Sequence, residues 1–195
     1  MKKIAITGGI GSGKSTVVSY LREKGYSVFS CDEIYHEITR SPAYINQINN
    51  TFPNVVKNGE INRKRLAEIV FSDPKKRQQL NDISHPMIMD KLQNDMQTIQ
   101  SDVVFAEVPL LFEGNYEYLF DEIIVVVRAL NERIRSVCQR DGISVEQAQS
   151  RMESQINYDD ITSLSKSNKK IYVLYNQGEI VSLQYETEKI LKDIL

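Results

Sequence analysis

Near the N-terminus, Gly8-Gly9-Ile10-Gly11-Ser12-Gly13-Lys14-Ser15 satisfies the pattern G-x-x-x-x-G-K-[ST] in full. Such a run demands a particular chain path. Glycines let the backbone take positive φ and bring its N–H groups against phosphate oxygens with no Cβ in the way. A helix that begins directly after the loop adds its N-terminal N–H groups and its dipole to the same anion. Lys14 then supplies a charge at the β- and γ-phosphates, and the Ser15 hydroxyl supplies a ligand for Mg²⁺. The required context is present. Lys3–Thr7 (KIAIT) is a short β-rich run before the loop; Val17, Val18 and Leu21 recur at helical spacing after it, with Gly25 as the stop. A chance glycine-rich turn lacks those flanks, so the segment reads as a phosphate-binding loop for ATP with Mg²⁺.

The strand signals that follow extend this opening into an α/β sheet. Tyr26–Ser30 (YSVFS) is a second strand, ending at Cys31-Asp32, and Val103–Val108, Glu122–Val127 and Lys170–Tyr175 are three more. Strands separated by helical stretches predict a doubly wound, three-layer P-loop NTPase fold with about five parallel strands. A short apolar helix is expected after Pro109. Between Glu33 and Gln100 only helical patterns are read, broken at Ser41-Pro42, Phe52-Pro53, Asn58-Gly59 and Ser72-Asp73-Pro74. A second helical block, Asn131–Asn168, is rich in Arg and Gln, and within it Ser144 and Gln147 form a capping-box start. The expected organisation is therefore one kinase domain, 1–195. Its core is 1–32, 101–130 and 169–195, with a helical acceptor-binding insertion 33–100 and a mobile helical lid 131–168.

Charge and composition exclude several classes. With 24 basic against 26 acidic residues, the chain is no general polyanion binder, so nucleic acid is not expected as a partner. No apolar run approaches the ~20 residues a membrane span needs, and the N-terminus offers too few apolar residues for a signal peptide, so the expected location is cytoplasmic. Cys31 and Cys138 lie far apart, without zinc spacing, and read as reduced thiols. A GTPase would need a guanine-reading Asn-Lys-x-Asp. Asn168-Lys169-Lys170-Ile171 ends in Ile and precedes a strand instead.

A small kinase needs an acceptor site, a base for the acceptor hydroxyl and arginines for the moving phosphoryl group. Asp32, just past strand two, stands where α/β ligands bind and is placed to accept a hydroxyl proton. The other reading is an N-cap for the helix Glu33–Arg40; beside a phosphate-transfer loop the base is favoured. Arg140, followed by Asp141-Gly142, is either a finger arginine or a helix-end cation. Glu107 ends strand three, to hold Mg²⁺ through water or to be solvated. His36 and His85 are isolated and form no metal-ligand spacing. Arg63-Lys64-Arg65 and Lys75-Lys76-Arg77 are short basic clusters, solvated or directed at anionic substrate groups.

Several stretches together resemble the dephospho-CoA kinase family over almost the whole chain. They are Ile6–Thr16 (ITGGIGSGKST), Cys31-Asp32 with His36, Gly59-Glu60-Ile61-Asn62-Arg63 and Phe71-Ser72-Asp73-Pro74. Leu80-Asn81, His85-Pro86, Val108–Glu113 (VPLLFE), Arg140-Asp141, Arg151–Gln155 (RMESQ) and Asn176-Gln177-Gly178 complete the set. The resemblance implies ATP-dependent phosphorylation of the ribose 3′-hydroxyl of dephospho-CoA, the last step of CoA synthesis. It implies Asp32 as catalytic base, Lys14, Ser15 and Arg140 at phosphates and metal, and Gly9, Gly11, Ser12, Gly13 and Thr16 in the nucleotide cradle. Asn176 falls at the adenine side. His36, Arg63, His85, Pro109, Leu110, Leu111, Phe112 and Glu113 would form the acceptor pocket.

The chain departs from the family pattern in four places, one of them a lid several residues longer between Gln155 and Asn176. Ser30 replaces the first Asp of Asp-x-Asp, Lys170-Ile171 replaces Ala-Asp, and Ser136 stands where a basic residue usually precedes Arg-Asp by one helical turn. The expected state is a monomer or weak homo-oligomer acting on small molecules. The alternatives are a P-loop kinase for another small acceptor, such as a nucleotide or sugar acid, and a non-catalytic ATP-binding regulator.

Overall fold

A computed structural model describes residues 1–153, 155–158, 160 and 168–195. In chain order the elements are β1 (Lys2–Thr7), α1 (Lys14–Glu23), β2 (Val28–Ser30), α2 (Cys31–Ile38), α3 (Pro42–Thr51), β3 (Val56–Lys57), β4 (Glu60–Ile61) and α4 (Arg63–Ser72). Then come α5 (Pro74–Gln97), β5 (Val103–Glu107), a 3-10 turn (Glu117–Leu119), β6 (Glu122–Val127), α6 (Leu130–Asp141), α7 (Val145–Glu153), β7 (Lys170–Tyr175) and α8 (Ile180–Ile194). The expected lid, 131–168, includes Ser154, Asp159 and 161–167, which lie outside the described residues. No described helix is long and apolar enough to cross a membrane.

The chain divides into two compact units, Met1–Val28 with Ile99–Leu195, and Phe29–Thr98. The first is built on a five-stranded sheet in the order β2-β5-β1-β6-β7. β1 pairs in parallel with β5 on one side and β6 on the other, and β6 pairs in parallel with β7. A strand with neighbours on both edges and helices on both faces must be apolar throughout, and Ile4, Ala5 and Ile6 are wholly buried. Around them Val17, Val18, Leu21, Phe105, Val126 and Leu183 form the core. α1 ends in a Schellman motif: Tyr26 N–H reaches Leu21 O and Gly25 N–H reaches Arg22 O, both at 3.0 Å, with Gly25 at φ 87°.

The doubly wound α/β expectation stands, with local corrections. β2 is only Val28–Ser30, because Cys31 already opens a helix. The short helix expected after Pro109 is a single turn, closed where Gly114 N–H bonds Leu110 O at 3.0 Å and Asn115 turns left-handed at φ 54°. The capping box is present: Gln147 N–H donates to Ser144 Oγ at 3.3 Å, and Ser144 N–H donates to Gln147 Oε1 at 3.0 Å.

The second unit is four helices whose starts follow the sequence breaks. Ser41 Oγ, Asn62 Oδ1 and Asp73 Oδ1 accept from the first-turn N–H groups of α3, α4 and α5, and Pro42 and Pro74 take the N1 positions. The expectation of helices alone is corrected. Asn58 and Gly59, at φ 55° and 78°, form a two-residue turn between the antiparallel strands β3 and β4. Asn-Gly with both φ positive is the turn whose twist suits a hairpin. α5 runs on through Pro86, and Ser84 on the same helix pairs with buried Tyr44, hydroxyl to hydroxyl, at 2.8 Å.

His85, on α5, is held below the usual imidazole pKa by burial, with Asp82 partly offsetting. A depressed histidine protonates more readily in the unfolded chain, so it costs nothing above the unfolded value of about 6.5 and subtracts stability as pH falls below it. Thermal melts should therefore show the native chain losing more stability than His85→Gln between about pH 7 and pH 5.

Candidate functional site

In the first unit the carboxyl ends of β1, β5, β6 and β7 carry the predicted loop and its neighbours, where open α/β sheets bind ligands. Gly8 (φ 144°) and Gly13 (φ 100°) take backbone angles that other residues rarely adopt. Each loop glycine also faces a neighbour that leaves no room for a side chain. A Cβ on Gly8 would strike Val126 O, on Gly9 the Arg133 guanidinium, on Gly11 Arg133 O and on Gly13 Asn176 Nδ2.

Asn176 braces the loop. Its Nδ2 donates to Ser12 O at 2.8 Å, its own N–H reaches Val127 O at 2.8 Å, and its Oδ1 accepts from Gly178 N–H at 2.9 Å. The residue expected at the adenine side thus ties the loop to the ends of β6 and β7. Lys14 Nζ folds onto the loop, 2.8 Å from Gly8 O and 3.1 Å from Gly9 O. Thr16 N–H bonds Gly13 O at 3.0 Å, which starts α1. Ser15 is exposed at that start. Ser12 is buried, and its hydroxyl has no hydrogen-bond partner among the described residues. Glu107 is half-buried at the end of β5, in register with Ile6. No cluster of three or more His, Cys, Asp or Glu side chains able to hold a metal occurs among the described residues.

Three residues beside the loop were not singled out for it by sequence reasoning. Arg133, on α6, donates from Nε to Ile10 O at 3.0 Å. Gln155 Oε1 accepts from Ile10 N–H at 2.7 Å. Tyr158, 1% exposed, places its hydroxyl 3.3 Å from Thr7 Oγ1, 3.2 Å from Pro109 O and 3.2 Å from Glu113 Oε2. Burial holds that phenol well above the usual tyrosine pKa, and the Glu113 carboxylate adds to the shift while Thr7 opposes it. Tyr158 therefore stays a protonated donor and fixes Glu113 beside the end of β1. Gln155 closes the Arg151–Gln155 stretch, but nothing local in the sequence marks Arg133 or Tyr158; Ile134 and Val137 of α6 pack beside Ile10. In the same stretch Pro109 and Glu113 are half-buried, Leu110 is exposed, and Leu111 and Phe112 are buried. Arg140 is engaged elsewhere: Nε lies 2.7 Å from Asp141 Oδ1, and Arg151 holds the other carboxylate oxygen at 2.7 Å.

In the second unit Asp32 lies in the first turn of α2 and is exposed. The capping alternative fails, because the N-cap is Ser30 and no side chain caps the helix. His36 follows one turn later on the same face. Thr39 Oγ1 donates to the His36 backbone O at 2.9 Å and accepts from Arg63 Nη2 at 3.4 Å, which ties Arg63 to the end of α2. A cavity of about 660 Å³ in this unit is lined by Tyr35, Thr39, Arg40, Tyr44, Arg63 and Phe71 among others. Asp32, His36 and His85 are not in its lining.

The collision at Gly13 is with a braced side chain, and its φ is strained for any other residue. Gly13→Ala should therefore abolish ATP binding by calorimetry, whereas Gly25→Ala, with open space around it, should retain binding at some loss of thermal stability.

A model of the dephospho-CoA kinase family matches residues 2–182. A dephospho-CoA kinase of Fusobacterium nucleatum is 34% identical, covering 98% of this chain and 97% of its own; one of Thermus thermophilus is 32% identical, covering 98% and 91%. A crystal structure from Thermus thermophilus superposes with a TM-score of 0.82 at 32% identity, covering 100% of this chain and 98% of that one. A dephospho-CoA kinase from Campylobacter jejuni gives 0.66 at 25% identity, covering 99% and 97%. An Acinetobacter baumannii shikimate kinase, at 0.56 and 17% identity over 100% and 93%, shares the fold. The chain, with its glycine loop intact on the end of β1, belongs to the dephospho-CoA kinase family.

Proposed function

We propose that this chain transfers the γ-phosphoryl group of ATP to the ribose 3′-hydroxyl of dephospho-CoA, releasing CoA and ADP. The observation that carries the reading is the phosphate loop, where Gly8, Gly11 and Gly13 combine positive φ with neighbours that crowd out a Cβ, within a chain matched to one family over residues 2–182.

The loop N–H groups and the α1 N-terminus would bind the nucleotide phosphates, with Lys14 turning from its carbonyls towards the β- and γ-phosphates. Mg²⁺ would be held by the Ser15 hydroxyl and phosphate oxygens, which suits an ion that takes few protein ligands and keeps several waters. When bound, that ion neutralises charge on the phosphates. Asp32 is the base in this reading: as the 3′-oxygen bonds to the γ-phosphorus and the bond to the β-phosphate oxygen breaks, its carboxylate takes the hydroxyl proton. Its exposure in the first turn of α2, with Ser30 at the N-cap, supports the assignment. The acceptor would use His36, Arg63, His85 and the Pro109–Glu113 stretch, Arg63 being suited to a phosphate.

A coupled ADP-release assay with Mg²⁺·ATP should show turnover with dephospho-CoA and little with AMP, adenosine or no acceptor, and the product should have the mass of CoA. Turnover with another acceptor would overturn the substrate; ATP binding with no acceptor-dependent turnover would point to a regulator. Asp32→Ala should lower kcat by about 10²–10⁴-fold, and full kcat in that variant would remove the base assignment.

A further inference from the structure

Arg133 is the one arginine that α6 places directly on the loop among the described residues. It is 6% exposed, and a guanidinium is rarely buried without a specific purpose for its charge. Its Nε bond to Ile10 O at 3.0 Å fixes the guanidinium plane, and the Nη2 end lies over Gly9 closely enough to exclude a Cβ there. Lys14 Nζ meets the same residue, 3.1 Å from Gly9 O. The loop lysine marks the end of the cradle that takes the β- and γ-phosphates. Two cations therefore converge on Gly9, at the terminal end of a bound triphosphate.

The arginine that sequence singled out is differently placed. Arg140 forms an outer cluster with Asp141 and Arg151, and its side chain is 61% exposed. Ser136, where the family pattern has a basic residue, accepts instead from Arg128 Nη1 at 2.8 Å. The positive charge near the loop thus comes from a different turn of α6.

We propose that Arg133 contacts the terminal phosphoryl group of ATP and so distinguishes a triphosphate from a diphosphate in this loop. The assignment rests on reading the loop as the ATP site. A planar fork held at Nε suits two oxygens of one phosphoryl group, and charge there grows as the β–γ bridge breaks.

The test compares binding of ATP and of ADP, each with Mg²⁺ and without acceptor, for the native chain, Arg133→Gln and Arg133→Lys. Arg135→Gln serves as a control, since Arg135 is 74% exposed on the same helix and pairs with Glu132. Arg133→Gln should weaken ATP by about tenfold or more and ADP by less than about twofold, and should lower kcat with dephospho-CoA by about 10²-fold. Arg133→Lys, which keeps charge but not the fork, should fall between. A bracing role alone would weaken ATP and ADP equally and overturns the proposal, as does loss of the ATP preference in Arg140→Gln with Arg133→Gln unaffected. If thermal melting shows that Arg133→Gln does not fold, the ATP-to-ADP ratio of Arg133→Lys decides in the same way. A native chain that prefers ATP yet turns over no dephospho-CoA would defeat the proposed function while leaving the Arg133 comparison readable.

Discussion

Close packing against bare backbone is the constraint on which the rest of the site depends. From Gly8 to Gly13 the chain runs between Val126 O, Arg133 and Asn176, which crowd Gly8, Gly11 and Gly13 too closely for a side chain. The loop is therefore not a flexible bridge between β1 and α1. It is a backbone surface clamped by β6, α6 and the end of β7. An anion cradle needs its N–H groups fixed in direction, and that rigidity has to come from neighbours, since glycine itself supplies none. The clamp also explains why distant residues share in the chemistry: Asn176 carries no charge, yet it holds Ser12 O and through it the turn into Lys14.

The sheet was legible because its inner strands β1, β5 and β6 are nearly continuous apolar runs, which a parallel strand covered on both faces requires. The loop was legible because its residue types have few substitutes. Helix starts at Ser41, Asp73 and Ser144 were legible because capping is local in sequence; the Asn62 cap of α4 was not read. The β3–β4 hairpin went unread, although Asn58-Gly59 signals that turn, because its strands are two residues each and show no alternation. The helix expected after Pro109 failed for a similar reason: the apolar residues at 110–112 invite a helix, but Gly114 and Asn115 stop it after one turn.

Around the loop, legibility ended where contacts became non-local. Ile10 meets Arg133 and Gln155, more than 120 residues away, and Thr7 meets Tyr158. Neither periodicity nor motif spacing encodes such meetings. Arg140 drew attention because it stands beside Asp141 at a helix end, and that adjacency is also what engages it, through an ion pair one residue apart. Asp32 is the converse case. Its two sequence readings were separable only by knowing that the helix begins at Cys31, which puts Ser30 at the cap and leaves the aspartate's carboxylate out of that role.

The hydrogen bond from Ile10 N–H to Gln155 Oε1 gives the loop an internal competitor. An amide oxygen already sits on a donor of the kind a phosphate uses. An anion that takes this donor does not fill a gap; it exchanges one acceptor for another. Its observed affinity is then its intrinsic affinity multiplied by the fraction of molecules in which Gln155 has swung aside. A charged phosphoryl oxygen is a stronger acceptor for this N–H than a neutral amide oxygen. Through one side chain, anion binding at Ile10 becomes a competition rather than a simple docking.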